Sequence, residues 1–135
     1  MKIRSMIIAA ALTAAAAAPV FAHHSFAAEF DSNKSTTLTG SVTKLDWINP
    51  HARLFIEVKD ADGKTVNWEV ELGPPAILMR SGWTKNSVKS GDKVTVSGNL
   101  AKDGTNLANA RTVTLADGTR VFAGSSADTQ TPSNQ

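Results

Sequence analysis

The chain contains no cysteine and no tyrosine. Without cysteine there is no disulfide, no thiolate metal site and no lipidated cysteine anchor. Without tyrosine there is no phenol to serve as copper ligand, radical carrier or general acid. An excess of charge is missing too. The 135 residues carry 14 basic and 12 acidic side chains, but Lys2 and Arg4 lie in an N-terminal leader whose removal leaves 12 of each. A neutral chain has no electrostatic footprint for nucleic acid. There is no HExxH spacing, no glycine-rich phosphate loop and no serine in a triad context. Common hydrolase and nucleotide-binding classes therefore have no foothold.

What is present begins with the leader. Lys2 and Arg4 precede an alanine-rich apolar run, Met6 to Ala18, and small residues at Val20 and Ala22 mark a cleavage site. This is the anatomy of a secretory signal peptide, too short and weakly flanked for a membrane span. Cutting after Ala22 leaves 113 of the 135 residues, enough for one domain with a modest core. The expected location is the periplasm or the exterior, with no membrane span after cleavage.

Residues 23–36 read as an N-terminal arm. Phe26 and Phe30 are four apart, so one helical turn brings them to one face. Asp31 to Ser35 reads as loop. From Leu38 the period becomes two. The parity flips between Val42 and Leu45, as a bulge near Thr43 and Lys44 would cause. A second strand alternates through Ala52, Leu54, Ile56 and Val58, and Asp62-Gly63 turns it. A third buries Val66, Trp68, Val70 and Leu72, with Glu69 and Glu71 outward beside Glu57 of the second. Pro75 opens a short apolar helix that Gly82 ends in a left-handed cap. Val94 and Val96 mark a fourth strand. Arg111, Val113 and Leu115 share one face of a fifth, and Asp117-Gly118 leads to a short sixth. The bent first strand and the helix between strands three and four match a five- to six-stranded OB-like barrel over residues 37–122, an all-β class with one short helix. A small β-sandwich is the alternative. Residues 123–135 lack apolar side chains to bury and read as a disordered polar tail.

Chemistry concentrates on three histidines. Cleavage after Ala22 makes His23 the first residue, with an α-amine and an imidazole that close a six-membered chelate. His51 sits in the Asn49-Pro50-His51 turn and supplies a third nitrogen if the arm folds back. Three nitrogens suit Cu(II), which heads the divalent affinity order. A competing mode uses His24, its backbone amide and the terminal amine without His51. Zinc, with Glu29 or Asp31 added, is the weaker option. The bland reading is an exposed end and a turn-capping imidazole. A second surface, Trp47, Asn49, Arg80 and Trp83 around His51, would serve a metal-free barrel that binds a small ligand or a protein.

Several segments are familiar together: His-His-Ser-Phe-Ala-Ala-Glu-Phe-Asp, Leu-Thr-Gly-Ser-Val-Thr-Lys, Trp-Ile-Asn-Pro-His-Ala, Pro-Pro-x-x-Leu-x-Arg-x-Gly-Trp and Gly-Asp-Lys-Val-Thr-Val. From about His23 to Phe122 the chain resembles a family of small exported bacterial proteins of unknown function. The resemblance implies a secreted single-domain β fold. It marks His23, His24, His51, Arg80, Gly82 and Trp83, and it brings no activity, substrate or cofactor.

Overall fold

Alternating apolar side chains give strands with one wet face, and such strands must close on themselves or on a second layer. Here they close on themselves. A computed structural model describes residues 26–124. The expected leader, His23, His24 and the tail beyond Gly124 lie outside the described residues.

In chain order the elements are α1 (Phe26–Glu29), β1 (Phe30–Asp46), β2 (Arg53–Lys59), β3 (Thr65–Glu71), α2 (Pro75–Arg80), β4 (Lys93–Ala101), β5 (Leu107–Leu115) and β6 (Arg120–Phe122). The strands are ordered β3-β2-β1-β4-β5-β6, and a parallel pairing of β3 with β5 joins the two sides. Strands β1 to β5 thus form a closed ring with a helix between β3 and β4, the OB-like arrangement, and β6 hangs on β5 as an edge. Its inner face is built by the period-two residues: Leu38, Val42, Leu54, Ile56, Val70, Val94, Val96 and Val113 are buried.

Two local devices were legible as chemistry. The β1–β2 register shifts between Val42 and Lys44, the bulge that the parity flip required. Gly82 has φ of 92°, and it ends α2 with two linked bonds: its own N–H donates to Met79 and that of Trp83 to Leu78. This is the Schellman closure, whose characteristic apolar contact here joins Leu78 and Trp83. Both are buried in the core cluster, and Trp83 Nε1 donates to the Phe122 carbonyl at 3.1 Å.

Four expectations are corrected. First, β1 starts at Phe30, and Asp31 to Ser35 is not a free loop. Phe30 pairs with Ala101 and Ser35 with Asn99, so the strand carries an excursion that remains tied to β4. Second, Arg111 does not share a face with Val113. Ser97 pairs with Thr112 and Gly98 with Ala110, which leaves Arg111 as the extra residue of a bulge. It is exposed, while Ala108 and Ala110 turn inward. Third, the folded part runs past Phe122. Ala123 is buried, donates to Arg111 and accepts from Gly73. Fourth, Glu71 is not outward but buried, because β5 runs beside the end of β3.

Candidate functional site

The buried Glu71 is the centre of a polar row that crosses the ring. Register places Arg53 on β2 opposite Glu71 on β3, Glu71 beside Asn109 on β5, and Asn109 opposite Asn99 on β4. Glu71, Asn99 and Asn109 are the polar residues buried among the described ones. Buried polar groups need partners, and these have them. Asn109 Nδ2 donates to Glu71 Oε1 at 3.4 Å. Arg53 Nη2 lies 3.7 Å from Glu71 Oε2, and its Nη1 pairs with Glu69. Asn99 Nδ2 donates to the backbone carbonyls of Asp31 and Ser32, at 3.1 and 3.2 Å.

His51 leans on this row from the turn before β2. Its Nδ1 is 3.4 Å from Glu71 Oε1, and its side chain is 28% exposed, so the ring bridges the buried carboxylate and solvent. The Asn49–Pro50 bond of that turn is cis. Beyond Glu71 the chain turns away at Gly73-Pro74-Pro75, and Ala52 keeps the two segments together by bonds to Leu72 and Gly73.

The arm arrives at the same row. The Lys102 amide donates to the Glu29 carbonyl at 2.9 Å, and its ammonium donates to the Ala27 carbonyl. The Phe26 and Phe30 rings stack with centroids 5.6 Å apart, as their spacing implied, and Phe30 is buried. With Asn99 gripping Asp31 and Ser32, the arm is fastened on both sides of Phe30.

Electrostatics tie these parts together. Burial pushes the Glu71 carboxyl above the ordinary carboxylate value, since a charge there loses its water. His51 opposes that shift most, Glu29 adds to it by like charge, and Arg53 and the Asn109 amide oppose it. The Glu29 carboxylate is therefore within electrostatic reach of Glu71. Asp31, the other acidic candidate of the arm, instead accepts the Asn33 amide at 2.9 Å.

The expected site residues separate into groups. His51 is at the row, and His23 and His24 lie outside the described residues. Asn49 is exposed beside His51, and Trp47 is half-buried against the core. Arg80 is exposed on α2. Trp83 leaves the expected ligand surface, because at 1% exposure it belongs to the core. Among the described residues no three histidine, aspartate or glutamate side chains gather as a metal-holding group. Glu71, Arg53 and Asn109 were missed. Alternation along β3 puts Glu69 and Glu71 on one outward face, and nothing local signals that β5 covers the second of them.

These features define a small all-β protein whose closed OB-like ring carries one buried polar row under a surface histidine. The chain belongs to a family of unknown function (DUF6152), which it matches over residues 10–110. Neither a curated protein nor a solved structure matches it. Among the described residues no helix is long and apolar enough to cross a membrane.

Proposed function

We propose that this is an exported metal-binding protein that takes up Cu(II) in the periplasm, for carriage or buffering. The ligands are the α-amine and imidazole of His23, exposed by cleavage after Ala22, and the imidazole of His51, with His24 adjacent. The observation that carries this reading is the contact between His51 Nδ1 and the buried Glu71 carboxylate at 3.4 Å. Histidines that bind metals typically engage a carboxylate or carbonyl through the second ring nitrogen, which fixes the ring and its tautomer. With Nδ1 facing Glu71 at 3.4 Å, Nε2 is the nitrogen left for an ion.

The docked arm supports the same reading. Glu29 raises the Glu71 carboxyl by like charge, which supports one neighbourhood for the arm and the histidine turn. His23 is three positions before Phe26, a span of at most about 10 Å. Nitrogen ligands and a divalent ion beside a carboxylate suit Cu(II) first and Zn(II) second.

The test uses secreted protein whose first residue is verified as His23 by intact mass. Calorimetric titration with Cu(II) and electron paramagnetic resonance are run on wild type, His51→Ala and a form with one methionine before His23. The expected result is one Cu(II) per chain with nitrogen hyperfine structure, and affinity at least ten-fold weaker in both altered forms. Unchanged affinity in His51→Ala assigns the ion to the His24 chelate. No uptake by wild type removes the proposal.

A metal-free ligand-binding module is the second reading, favoured by a groove of 660 Å³ on the outer face of β2 and β3. Phe55, Glu57, Asn67 and Glu69 line it, and the Lys44 ammonium sits 4.5 Å from the Phe55 ring centre. Absence of Cu(II) binding together with ligand-induced shifts at Phe55 would select it.

A further inference from the structure

On the side of the ring formed by β1, β4, β5 and β6, the outward face is built from hydroxyls. Thr37 pairs with Ser97 and Ser97 with Thr112, and the next row runs Thr39, Thr95, Thr114 and Arg120. Threonine on an outward strand face is ordinary β chemistry, and by itself it assigns nothing. Two features make this face different. The first is a shallow cavity of 360 Å³ whose lining includes Ser35, Thr37, Ser97, Thr112, Arg111 and Arg120, with no carboxylate in it. Neither guanidinium forms an ion pair among the described residues.

The second feature is how Arg111 gets there. It is the unpaired residue of the β4–β5 bulge, opposite the Ser97–Gly98 step. A bulge spends a ladder position and re-aims one side chain. The backbone around it is closely fitted: a Cβ on Gly98 would stand 1.8 Å from the Asn109 carbonyl oxygen. The bulge thus brings Arg111 to the cavity that Arg120, regularly paired on β6, also lines, and no acid in the lining neutralises the two charges. Arginine forks match tetrahedral oxyanions with paired N–H donors, and serine and threonine hydroxyls complete the shell.

We propose that this cavity binds a phosphate-type tetrahedral oxyanion, held by Arg111 and Arg120 with hydroxyls of Thr37, Ser97 and Thr112. The cavity borders the polar row at Asn99, but neither His51 nor Glu71 lines it, and the proposal does not depend on the metal-binding reading. Free phosphate and a phosphate monoester share the recognised chemistry, and the cavity is large enough to admit either.

The experiment is titration of the processed, full-length chain in oxyanion-free buffer with inorganic phosphate and with glucose 6-phosphate. It is followed by calorimetry and by 31P nuclear magnetic resonance, with unfolding curves verifying each variant. Saturable binding of phosphate is expected, with at least ten-fold loss in Arg111→Gln and in Arg120→Gln, loss beyond detection in the double variant, and no change in His51→Ala. Thr37→Val and Ser97→Ala, which leave the arginines in place, are expected to weaken binding several-fold. Tighter binding of the ester assigns the cavity to phosphorylated small molecules, and equal binding to the free anion. No saturable binding of either probe up to ten millimolar, or wild-type affinity in the double arginine variant, overturns the proposal.

Discussion

Glu71 and Asn109 lie side by side on parallel strands, and the asparagine amide donates to the carboxylate at 3.4 Å in a site almost sealed from water. That pairing makes Glu71 a fixed support for His51 instead of a surface charge. In Glu71→Gln the shape is kept and the charge removed, so His51 loses its anionic neighbour. Cu(II) affinity is expected to fall about ten-fold or more, the usual effect of removing a supporting carboxylate from a metal-bound histidine. Calorimetry on Glu71→Gln beside wild type measures it. Equal affinities would show that His51 needs no such support.

The core makes a sharper prediction about stability. Trp83 is buried between the cap of α2 and the strand ring, with its indole N–H bonded to Phe122. Trp83→Ala removes the ring, leaves a cavity and orphans that carbonyl, and about 3–5 kcal/mol of unfolding free energy should be lost. Urea denaturation followed by circular dichroism is the measurement. A loss below about 1 kcal/mol would place the indole on the surface, where the mutation is mild.

How much of this could be read in advance depended on whether the cause was local. Strand phases at Leu54, Ile56, Val70 and Val96, the bulge after Val42 and the left-handed Gly82 each follow from a residue and its near neighbours. Glu71 and Arg111 do not. Glu71 is buried because β5, about forty residues later, lies parallel to β3, and single-sequence periodicity carries no information about that pairing. Arg111 is re-aimed by a bulge whose signal, Gly98, sits on another strand. The Asp31 to Lys34 excursion was polar enough to read as loop, yet Asn99 holds its backbone from β4. The histidine turn was visible as chemistry, but the carboxylate that supports it was not.

Three glycines separate steric from conformational demand. A Cβ at Gly40 would stand 2.2 Å from the Glu57 carbonyl oxygen, and one at Gly98 would stand 1.8 Å from that of Asn109. Gly63 meets nothing within 4 Å but has φ of 78°. Gly63→Ala should cost only about 1–2 kcal/mol, the left-handed penalty. Gly98→Ala must push two strands apart, so its cost should exceed the overpacking range of about 1–3 kcal/mol. Thermal melts of the two variants would reverse this order if the β4–β5 bulge relaxes freely.

Acid should weaken the turns in a defined direction. Backbone and side-chain donors of Lys89 and Thr105, and the backbone N–H of Thr119 foremost, hold Asp92, Asp103 and Asp117 below the ordinary aspartate value of 3.8. A carboxylate with a depressed folded value adds stability above the unfolded value and loses it as pH falls through the folded one. Buried Glu71 runs the other way, its raised value favouring the folded state on the acid side of 4.5. The three aspartates together should give a melting temperature that declines from about pH 4 downward. Replacing all three by asparagine should flatten that acid limb. An unchanged slope would mean that these three aspartates do not govern acid unfolding.

The last prediction concerns the fastening of the arm. Asn99 spends its amide on two backbone carbonyls, those of Asp31 and Ser32. Asn99→Leu leaves both carbonyls without that donor, at a cost of about 1–3 kcal/mol. The loss should be felt locally before it is felt globally, because the ring is closed by β3 and β5 without the arm. Amide exchange should therefore accelerate over residues 26–34 while β2, β3 and β5 stay protected. If the arm delivers His23 to His51, the same variant weakens Cu(II) binding although every ligand is intact. Exchange that rises equally across all strands would show that Asn99 supports the core instead. Faster arm exchange with unchanged Cu(II) affinity would separate the arm from the metal site.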